Sequence, residues 1–259
     1  MRTSKSLTTG ALLWALLLAG CRAVTPAPET PATLPTPPAS APVPQAVELP
    51  NDVRWSRDSA EHKAILVQVY HMAGEVLAPM AAELEPGTWA VALDADETVI
   101  DNSLYQKERI EIGETYSSES WAQWVARKEA PPLPGALGFL GRVRALGGKI
   151  AIVTNRKEDH CPDTRANFHA FSIPFDVILC KPPGEDRKEV RWEKVENGTA
   201  AEGLPPLDIV MWLGDNIQDF PRLDQELRRQ PEAAFERFGL QYFVLPNPMY
   251  GSWEDNPGE

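Results

Sequence analysis

The chain has no excess of positive charge, and after the short apolar segment near its start we expect no second one that crosses a membrane. Its 259 residues include 25 lysines and arginines against 37 aspartates and glutamates, which gives a net charge of −12. This balance argues against a nucleic-acid partner, because binding to the phosphate backbone needs a basic surface. A small anionic substrate remains compatible with it, since local charge can oppose the overall sign.

Several familiar signatures are also missing. The sequence has no Gly-x-x-x-x-Gly-Lys loop and no Arg-His-Gly triplet of the histidine phosphatases. His160, Cys161 and His169 do not have the spacing of zinc ligands. Cys161 and Cys180 each follow a predicted strand, which leaves either a disulfide between them or two free thiols.

The N-terminus resembles the signal of a bacterial lipoprotein. Arg2 and Lys5 precede an apolar segment at 7–18, and Leu18-Ala19-Gly20-Cys21 follows. We therefore expect a signal peptide at 1–20 and a lipid, such as palmitate, on Cys21. Arg22 is not the aspartate that often retains lipoproteins at the inner membrane. This favours a lipid-anchored envelope protein on the outer membrane, facing the periplasm or the cell surface.

Residues 21–50 comprise the lipidated cysteine and a proline-rich linker. Nine of the 25 residues from Pro26 to Pro50 are proline. Such a segment prefers extended polyproline II conformations and cannot bury a core. It would act as a spacer between the membrane and a single domain at 51–259.

The domain alternates short apolar runs with helical periodicity. The runs predict strands at 89–93, 149–153, 176–179, 208–213 and 241–245, and the periodicity predicts helices at 58–84, 117–128, 135–146, 163–171 and 187–196. This order predicts an α/β fold with a Rossmann-like parallel sheet and helices on both faces. In the first helix the expected core stripe is Ile65, Val69, Met72, Val76 and Met80, and Pro79 is expected to kink or split the helix.

Polar side chains follow four of these strands. Asp94 and Asp96 come directly after the first strand, and a D-x-D pair there indicates a metal site, an acid/base pair, or both. The later strands are followed by Thr154 and Asn155, by Lys181 or Lys188, and by Asp215 and Asp219. Because ligands bind at the carboxyl ends of parallel strands, one crevice should hold all of them.

The chemistry of this set indicates metal-assisted phosphoryl transfer. A cluster of carboxylates without soft ligands favours a hard cation, and Mg²⁺ is the usual choice. Hydroxyl, amide and ammonium groups suit the oxygens of a phosphate.

Three motifs carry a family resemblance. Asp94-Ala95-Asp96-Glu97-Thr98, Thr154-Asn155-Arg156 and Gly214-Asp215-Asn216-x-x-Asp219-Phe220 resemble the haloacid dehalogenase (HAD) superfamily of phosphohydrolases. The longer segment 93–105, and Pro246-Asn247-Pro248-Met249-Tyr250-Gly251-x-Trp253-Glu254, are similar to the class C acid phosphatases, or lipoprotein e 5′-nucleotidases. The resemblance extends over roughly residues 50–255.

The resemblance implies a role for each matching residue. Asp94 would attack phosphorus, and Asp96 would act as general acid and then as general base. The side chains of Asp94 and Asp215 and the backbone carbonyl of Asp96 would bind Mg²⁺. The remaining roles would be phosphate binding by Thr154 and Asn155, and orientation of the metal shell or the lysine by Asp219. Lys188, in Lys188-x-x-Arg191, fits the family pattern better than Lys181.

Substrate choice should depend on a small, mostly helical cap at 101–134. Aromatic candidates to stack on a base or aromatic leaving group, each of which could instead be core, are Tyr105, Trp121, Trp124, Tyr250 and Trp253. The family implies nucleoside monophosphates or aromatic phosphomonoesters as substrates, and some members are homodimers. The alternatives are a broad-specificity acid phosphatase or phosphotransferase without nucleotide preference, and a non-catalytic surface lipoprotein.

Overall fold

A five-stranded parallel sheet organises the chain in the computed structural model, which describes residues 47–258. The strands are β1 (Trp89–Leu93), β2 (Lys149–Lys157), β3 (Val177–Lys181), β4 (Asp208–Gly214) and β5 (Tyr242–Val244). They are ordered β3-β2-β1-β4-β5, and every neighbouring pair is parallel. The predicted α/β fold is therefore confirmed. The predicted signal peptide, Cys21 and most of the proline-rich linker lie outside the described residues.

Helices cover both faces of the sheet. They are α1 (Asn51–Asp58), α2 (Ala60–Ala82), α3 (Ser103–Glu111), α4 (Ser118–Arg127), α5 (Ala136–Ala145), α6 (Cys161–Ala170) and α7 (Glu189–Glu196). Side chains of β1 alternate between two cores: Trp89, Val91 and Leu93 pack in the core that contains α2 and α5, whereas Ala90 and Ala92 pack in the core that contains α7. All five β1 residues are buried, as expected for the central strand of a parallel sheet.

The centre of the core stripe of α2 lies one residue from the predicted stripe, of which Val69 and Val76 are partly buried against the same core. The buried positions include Leu66, Tyr70, Ala73 and Leu77, whereas Ile65 and Met72 are exposed. The helix is apolar around most of its circumference, so periodicity alone offers two neighbouring stripes. The stripe containing Ala73 is the one in the core, and α2 packs there against α5. Pro79 lies inside the helix, which continues unbroken to Ala82.

The segment predicted as a cap contains α3 and α4. Ser117 caps α4 by accepting a hydrogen bond from the Ser120 N–H, and Lys128 ends the helix in a left-handed conformation with φ of 59°. The two helices meet where the Tyr105 hydroxyl lies 2.8 Å from the Ser120 hydroxyl. The segment is helical as expected, and its role as a distinct cap domain stays a prediction.

Cys161 and Cys180 form a disulfide, so the first of the two sequence alternatives is correct. Their sulfurs are 2.06 Å apart, and the bridge joins the first residue of α6 to β3. The two cysteines are 19 positions apart along the chain. A cross-link closing a loop of this size stabilises a fold by about 3 kcal/mol. It holds the start of α6 beside β3.

Candidate active site

The carboxyl ends of the strands surround one cavity of about 590 Å³. Its floor includes Asp94 and Asp96 after β1, Asn155 and Arg156 on β2, and Asp215 after β4. Leu93 pairs with both Ile152 and Leu213, so β1 lies between the other two strands at this edge. The parallel sheet thus brings together groups that are more than a hundred residues apart in the sequence.

Three carboxylates converge beside a buried lysine. Oxygens of Asp94, Asp215 and Asp219 all lie within 4.8 Å of one another. The ammonium group of Lys188 contacts Asp94 and lies 2.7 Å from Asp219 Oδ1. Lys188 is 2% exposed, whereas Lys181 is paired with Asp186 at 3.6 Å and partly exposed. Of the two lysines that the sequence offered, the structure therefore places Lys188 in the site.

The electrostatics of this group show uncompensated negative charge. Burial, with added repulsion from Asp219 and Asp96, raises the pKa of Asp94 to about 7, although Lys188 opposes the shift. Burial and the charges of Asp219 and Asp94 raise the pKa of Asp215 well above its ordinary value. Burial disfavours the ammonium of Lys188, but Asp219 and Asp94 outweigh it and raise its pKa. Oxygen ligands at this spacing with excess negative charge fit a hard divalent cation.

The arrangement after β4 depends on a glycine. A Cβ built on Gly214 would lie 2.2 Å from Asp219 Cβ, so any larger residue would displace the Asp219 carboxylate. The Asn216 N–H donates to Asp219 Oδ2 at 3.0 Å and fixes the turn between them. Asn247, from the Pro-Asn-Pro segment after β5, donates to Asp215 Oδ2 at 2.8 Å. These contacts give a physical reason for two of the sequence motifs.

Arg191 is hydrogen-bonded to the carboxyl end of β2. Its guanidinium donates to the Thr154 carbonyl and, at 2.9 Å, to Asn155 Oδ1. Thr154 is fully buried, and its hydroxyl accepts a hydrogen bond from the Arg156 N–H at 3.2 Å. Asn155 faces the cavity, but Thr154 is not among the residues that line it. Thr154 therefore shapes the turn in this structure, and its predicted contact with phosphate stays a prediction.

The aromatic candidates divide into two groups. Trp121 and Tyr250 line the cavity, together with the exposed Tyr116, which the sequence did not single out. Tyr105 is 2% exposed and packs edge-on against Trp121, with ring centroids 5.1 Å apart. The prediction that Tyr105 stacks on a substrate is wrong for this structure, because it supports the cavity wall from behind. Trp124 is equally buried, and Trp253 is not a lining residue.

Asp96 differs from the other three aspartates in its partner. Its carboxylate pairs with Arg156, whose Nη2 lies 2.8 Å from Oδ1. The sequence drew attention to Thr154-Asn155-Arg156 but assigned no role to the arginine, nor to Asn102 or Asn247. All three residues lie inside motifs that carried the family resemblance, so these motifs could have identified them as site residues.

The family comparison agrees with this geometry. Residues 18–253 match the family model described as HAD superfamily, subfamily IIIB (acid phosphatase). A crystal structure of the class C acid phosphatase from Bacillus anthracis with tungstate bound is 33% identical, with a TM-score of 0.69. The match covers 78% of this chain and 85% of that one. A second structure of the same enzyme gives 32% identity and a TM-score of 0.68.

Plant proteins are more distant relatives. Acid phosphatase 1 of Solanum lycopersicum is 27% identical over 160 residues, and the match covers 61% of this chain. The stem 28 kDa glycoprotein of Glycine max is 26% identical over 196 residues, or 74% of this chain. This chain spans 56% of the length of the tomato enzyme and 68% of the soybean glycoprotein.

Proposed function

This chain belongs to subfamily IIIB of the HAD superfamily, the acid phosphatases, and we propose that it is a Mg²⁺-dependent phosphomonoesterase that works through an aspartyl-phosphate. One observation carries the proposal: Asp94, Asp215 and Asp219 converge within 4.8 Å, with Lys188 in contact with Asp94. An enzyme that transfers a phosphoryl group needs a nucleophile, a cation and a charged clamp for phosphate in one place. The cavity beside these residues is large enough for a small phosphoester.

The reaction takes two steps. A carboxylate oxygen of Asp94 attacks phosphorus, the bond from phosphorus to the leaving oxygen breaks, and Asp96 gives that oxygen its proton. Water then attacks the aspartyl-phosphate, its proton passes to Asp96, and the bond to Asp94 breaks. The products are the alcohol and inorganic phosphate. Lys188 holds Asp94 in place and, with Asn155, supplies donors to the phosphate oxygens.

A divalent cation fits the acidic end of the cavity. The side chains of Asp94 and Asp215 would hold it, with the backbone carbonyl of Asp96 as the family resemblance implies, and Asp219 lies close enough to bind or orient it. When bound, Mg²⁺ would offset the repulsion between the carboxylates and phosphate and polarise the transferring group. Asn247 orients the Asp215 carboxylate from the other side.

The substrates are nucleoside monophosphates or aromatic phosphomonoesters. Tyr116, Trp121 and Tyr250 supply aromatic surface around the cavity, and a planar base or ring gains binding energy by stacking on such surface. The Tyr250 hydroxyl is buried and has no hydrogen-bond partner among residues 47–258, so the aromatic ring is the part of this side chain offered to a substrate. A broad phosphatase or a phosphotransferase would use the same catalytic groups, and its preference would depend on these walls.

A substrate and metal panel tests the proposal. We expect the full-length protein to release phosphate from AMP, nicotinamide mononucleotide and p-nitrophenyl phosphate with Mg²⁺, and to lose this activity in EDTA. Mg²⁺ should also raise the melting temperature, because a ligand that binds only the folded state stabilises it. Higher kcat/KM for the two nucleotides would support a nucleotidase, and equal values a broad phosphatase. Full activity in EDTA, or none in folded Mg²⁺-loaded protein, would contradict the proposal.

We further propose that the enzyme is anchored to the cell envelope, at the outer membrane, by a lipid on Cys21. The disulfide between Cys161 and Cys180 supports an exported location, because such bonds persist in oxidising compartments. Cys21→Ala should move the protein from the membrane fraction to the soluble fraction without changing its activity. An unchanged membrane fraction would contradict the anchor. A homodimer, and the lack of a nucleic-acid partner, stay predictions.

A further inference from the structure

Asp96 is held by a buried arginine, Arg156, that contacts both of its carboxylate oxygens. Nε of Arg156 lies 3.0 Å from Asp96 Oδ1 and 3.1 Å from Oδ2, and Nη2 lies 2.8 Å from Oδ1. Arg156 is 3% exposed. A buried guanidinium bound to both oxygens of a carboxylate fixes the plane of that carboxylate as well as its position.

Asn102 holds the same carboxylate from a second side. Its Nδ2 donates to Asp96 Oδ1 at 2.8 Å, and its Oδ1 accepts from Trp124 Nε1 at 2.8 Å and from Arg156 Nη2 at 3.1 Å. The side-chain amide of Asn102 cannot be flipped, because its NH₂ would then face two N–H donors and its oxygen would face a carboxylate. Asn102 is fully buried, and its backbone N–H donates to Glu97 Oε1 at 2.8 Å.

The arginine also reaches the aromatic wall. Its guanidinium carbon lies 5.5 Å from the centroid of Trp121, which lines the cavity, and Nη1 donates to Thr164 Oγ1 at 3.3 Å. Arg156 therefore joins Asp96 to the side of the cavity where an aromatic leaving group would stack. All three nitrogens of the guanidinium thus have an acceptor within the protein, which leaves Arg156 poorly suited to bind the phosphate itself.

We propose that Arg156 and Asn102 are positioning residues for Asp96, and that they aim its carboxyl group at the leaving oxygen. The inference rests on the proposed function and adds a dependence on the substrate. When Asp96 gives its proton to the leaving oxygen, the carboxylate that forms meets two fixed sets of N–H donors. A ribose 5′-oxygen needs that proton to depart, whereas p-nitrophenolate departs readily without it. Loss of the positioning residues should therefore harm AMP hydrolysis more than p-nitrophenyl phosphate hydrolysis.

Kinetics with two leaving groups test this proposal. Arg156→Gln should lower kcat/KM for AMP about 100-fold, within the range that general acid catalysis supplies, and kcat/KM for p-nitrophenyl phosphate less than about 10-fold. The ratio kcat/KM is the right measure because it reports the first step, whereas hydrolysis of the aspartyl-phosphate, which also uses Asp96, is common to both substrates. Asp96→Asn should show the same preference more strongly. A matched control is Arg165→Gln on α6, where the arginine is exposed and donates to the Ile178 carbonyl, and both rates should be retained.

A double mutant separates positioning from a structural role. Because Arg156 acts through Asp96, adding Arg156→Gln to Asp96→Asn should cost less than about threefold further in kcat/KM for AMP. Equal losses on both substrates, or losses that multiply in the double mutant, would overturn the proposal. A rise in KM at constant kcat would overturn it too, by making Arg156 a substrate ligand. Should Arg156→Gln not fold, Trp124→Phe removes one donor to Asn102, and an equal loss on both substrates would again refute it.

The outcomes also separate this inference from the proposed function. Wild-type protein that releases no phosphate would end both. Active wild-type protein whose Asp96→Asn variant shows no leaving-group preference would remove the positioning role and leave the phosphatase intact.

Discussion

Replacing Asp94 with asparagine is expected to lower phosphate release from AMP by about 10⁴-fold or more, because no other group would take over the attack on phosphorus. The fold should survive the change. Asparagine keeps an oxygen that can accept from Lys188. The change also removes a carboxylate that is costly to ionise, because burial, with repulsion from Asp219 and Asp96, raises the pKa of Asp94 to about 7. In EDTA the variant should therefore melt no lower than the wild type.

Covalent trapping shows whether Asp94 is the residue that carries phosphate. Borohydride reduction during turnover should convert Asp94 of the wild type, and no other aspartate, to homoserine. Asp176→Asn provides a matched control at the opposite end of the sheet, where the carboxylate accepts from the Ile150 N–H at 2.9 Å. That variant should keep its turnover. Activity of Asp94→Asn above about one hundredth of wild type, or trapping at another aspartate, would rule out Asp94 as the nucleophile.

The strands and the aspartates were predictable because both signals are local. Each of the five apolar runs is short and bounded by polar or turn residues, and each became a strand with ends within four residues of the prediction. The rule that parallel strands carry ligands at their carboxyl ends then placed Asp94 and Asp215 in one crevice without any knowledge of strand order. The resemblance of the motifs to the HAD superfamily, and to the class C acid phosphatases, is confirmed by the family and structural matches.

Side-chain environments could not be predicted in the same way. The apolar surface of α2 offers two stripes one residue apart, and only packing against α5 distinguishes Tyr70 and Ala73 from Ile65 and Met72. Tyr105 has an aromatic ring that could stack on a substrate, but its hydroxyl is hydrogen-bonded to Ser120. This contact joins two helices, and no pattern in the sequence predicts it. The pairing of Cys161 with Cys180 likewise depends on how closely α6 approaches β3.

The partners of Asp96 could not be predicted from the sequence. Arg156 and Asn102 belong to the motifs described above, and an arginine or an asparagine can bind a phosphate as well as it can bind a carboxylate. What decides between these roles is that the guanidinium and the amide already have partners within the protein. Asn102 and Arg156 are 54 residues apart in the sequence, so no local sequence pattern predicts the contact between them.

Replacing Lys188 with methionine is expected to reduce both stability and activity, because it leaves two buried carboxylates without their cation. Asp94 is 8% exposed and Asp219 is 5% exposed, and Lys188 touches both. Breaking a buried ion pair from one side costs about 3–5 kcal/mol, and we expect a loss of unfolding free energy of that order in EDTA. The kcat for AMP should fall by at least about 100-fold, since Asp94 loses the group that orients it.

The response to Mg²⁺ makes this prediction specific to charge. Without Lys188 the carboxylates carry a larger net negative charge, so a divalent cation should compensate more and raise the melting temperature further than it does in the wild type. Lys181→Met is the matched control, because Lys181 is partly exposed and its pairing with Asp186 spans 3.6 Å. It should change stability by no more than about 0.5 kcal/mol and leave turnover intact. If the two variants were equally stable in EDTA, Lys188 would not be the counter-charge of Asp94 and Asp219; if Lys181→Met alone lost turnover, the other lysine would be the functional one.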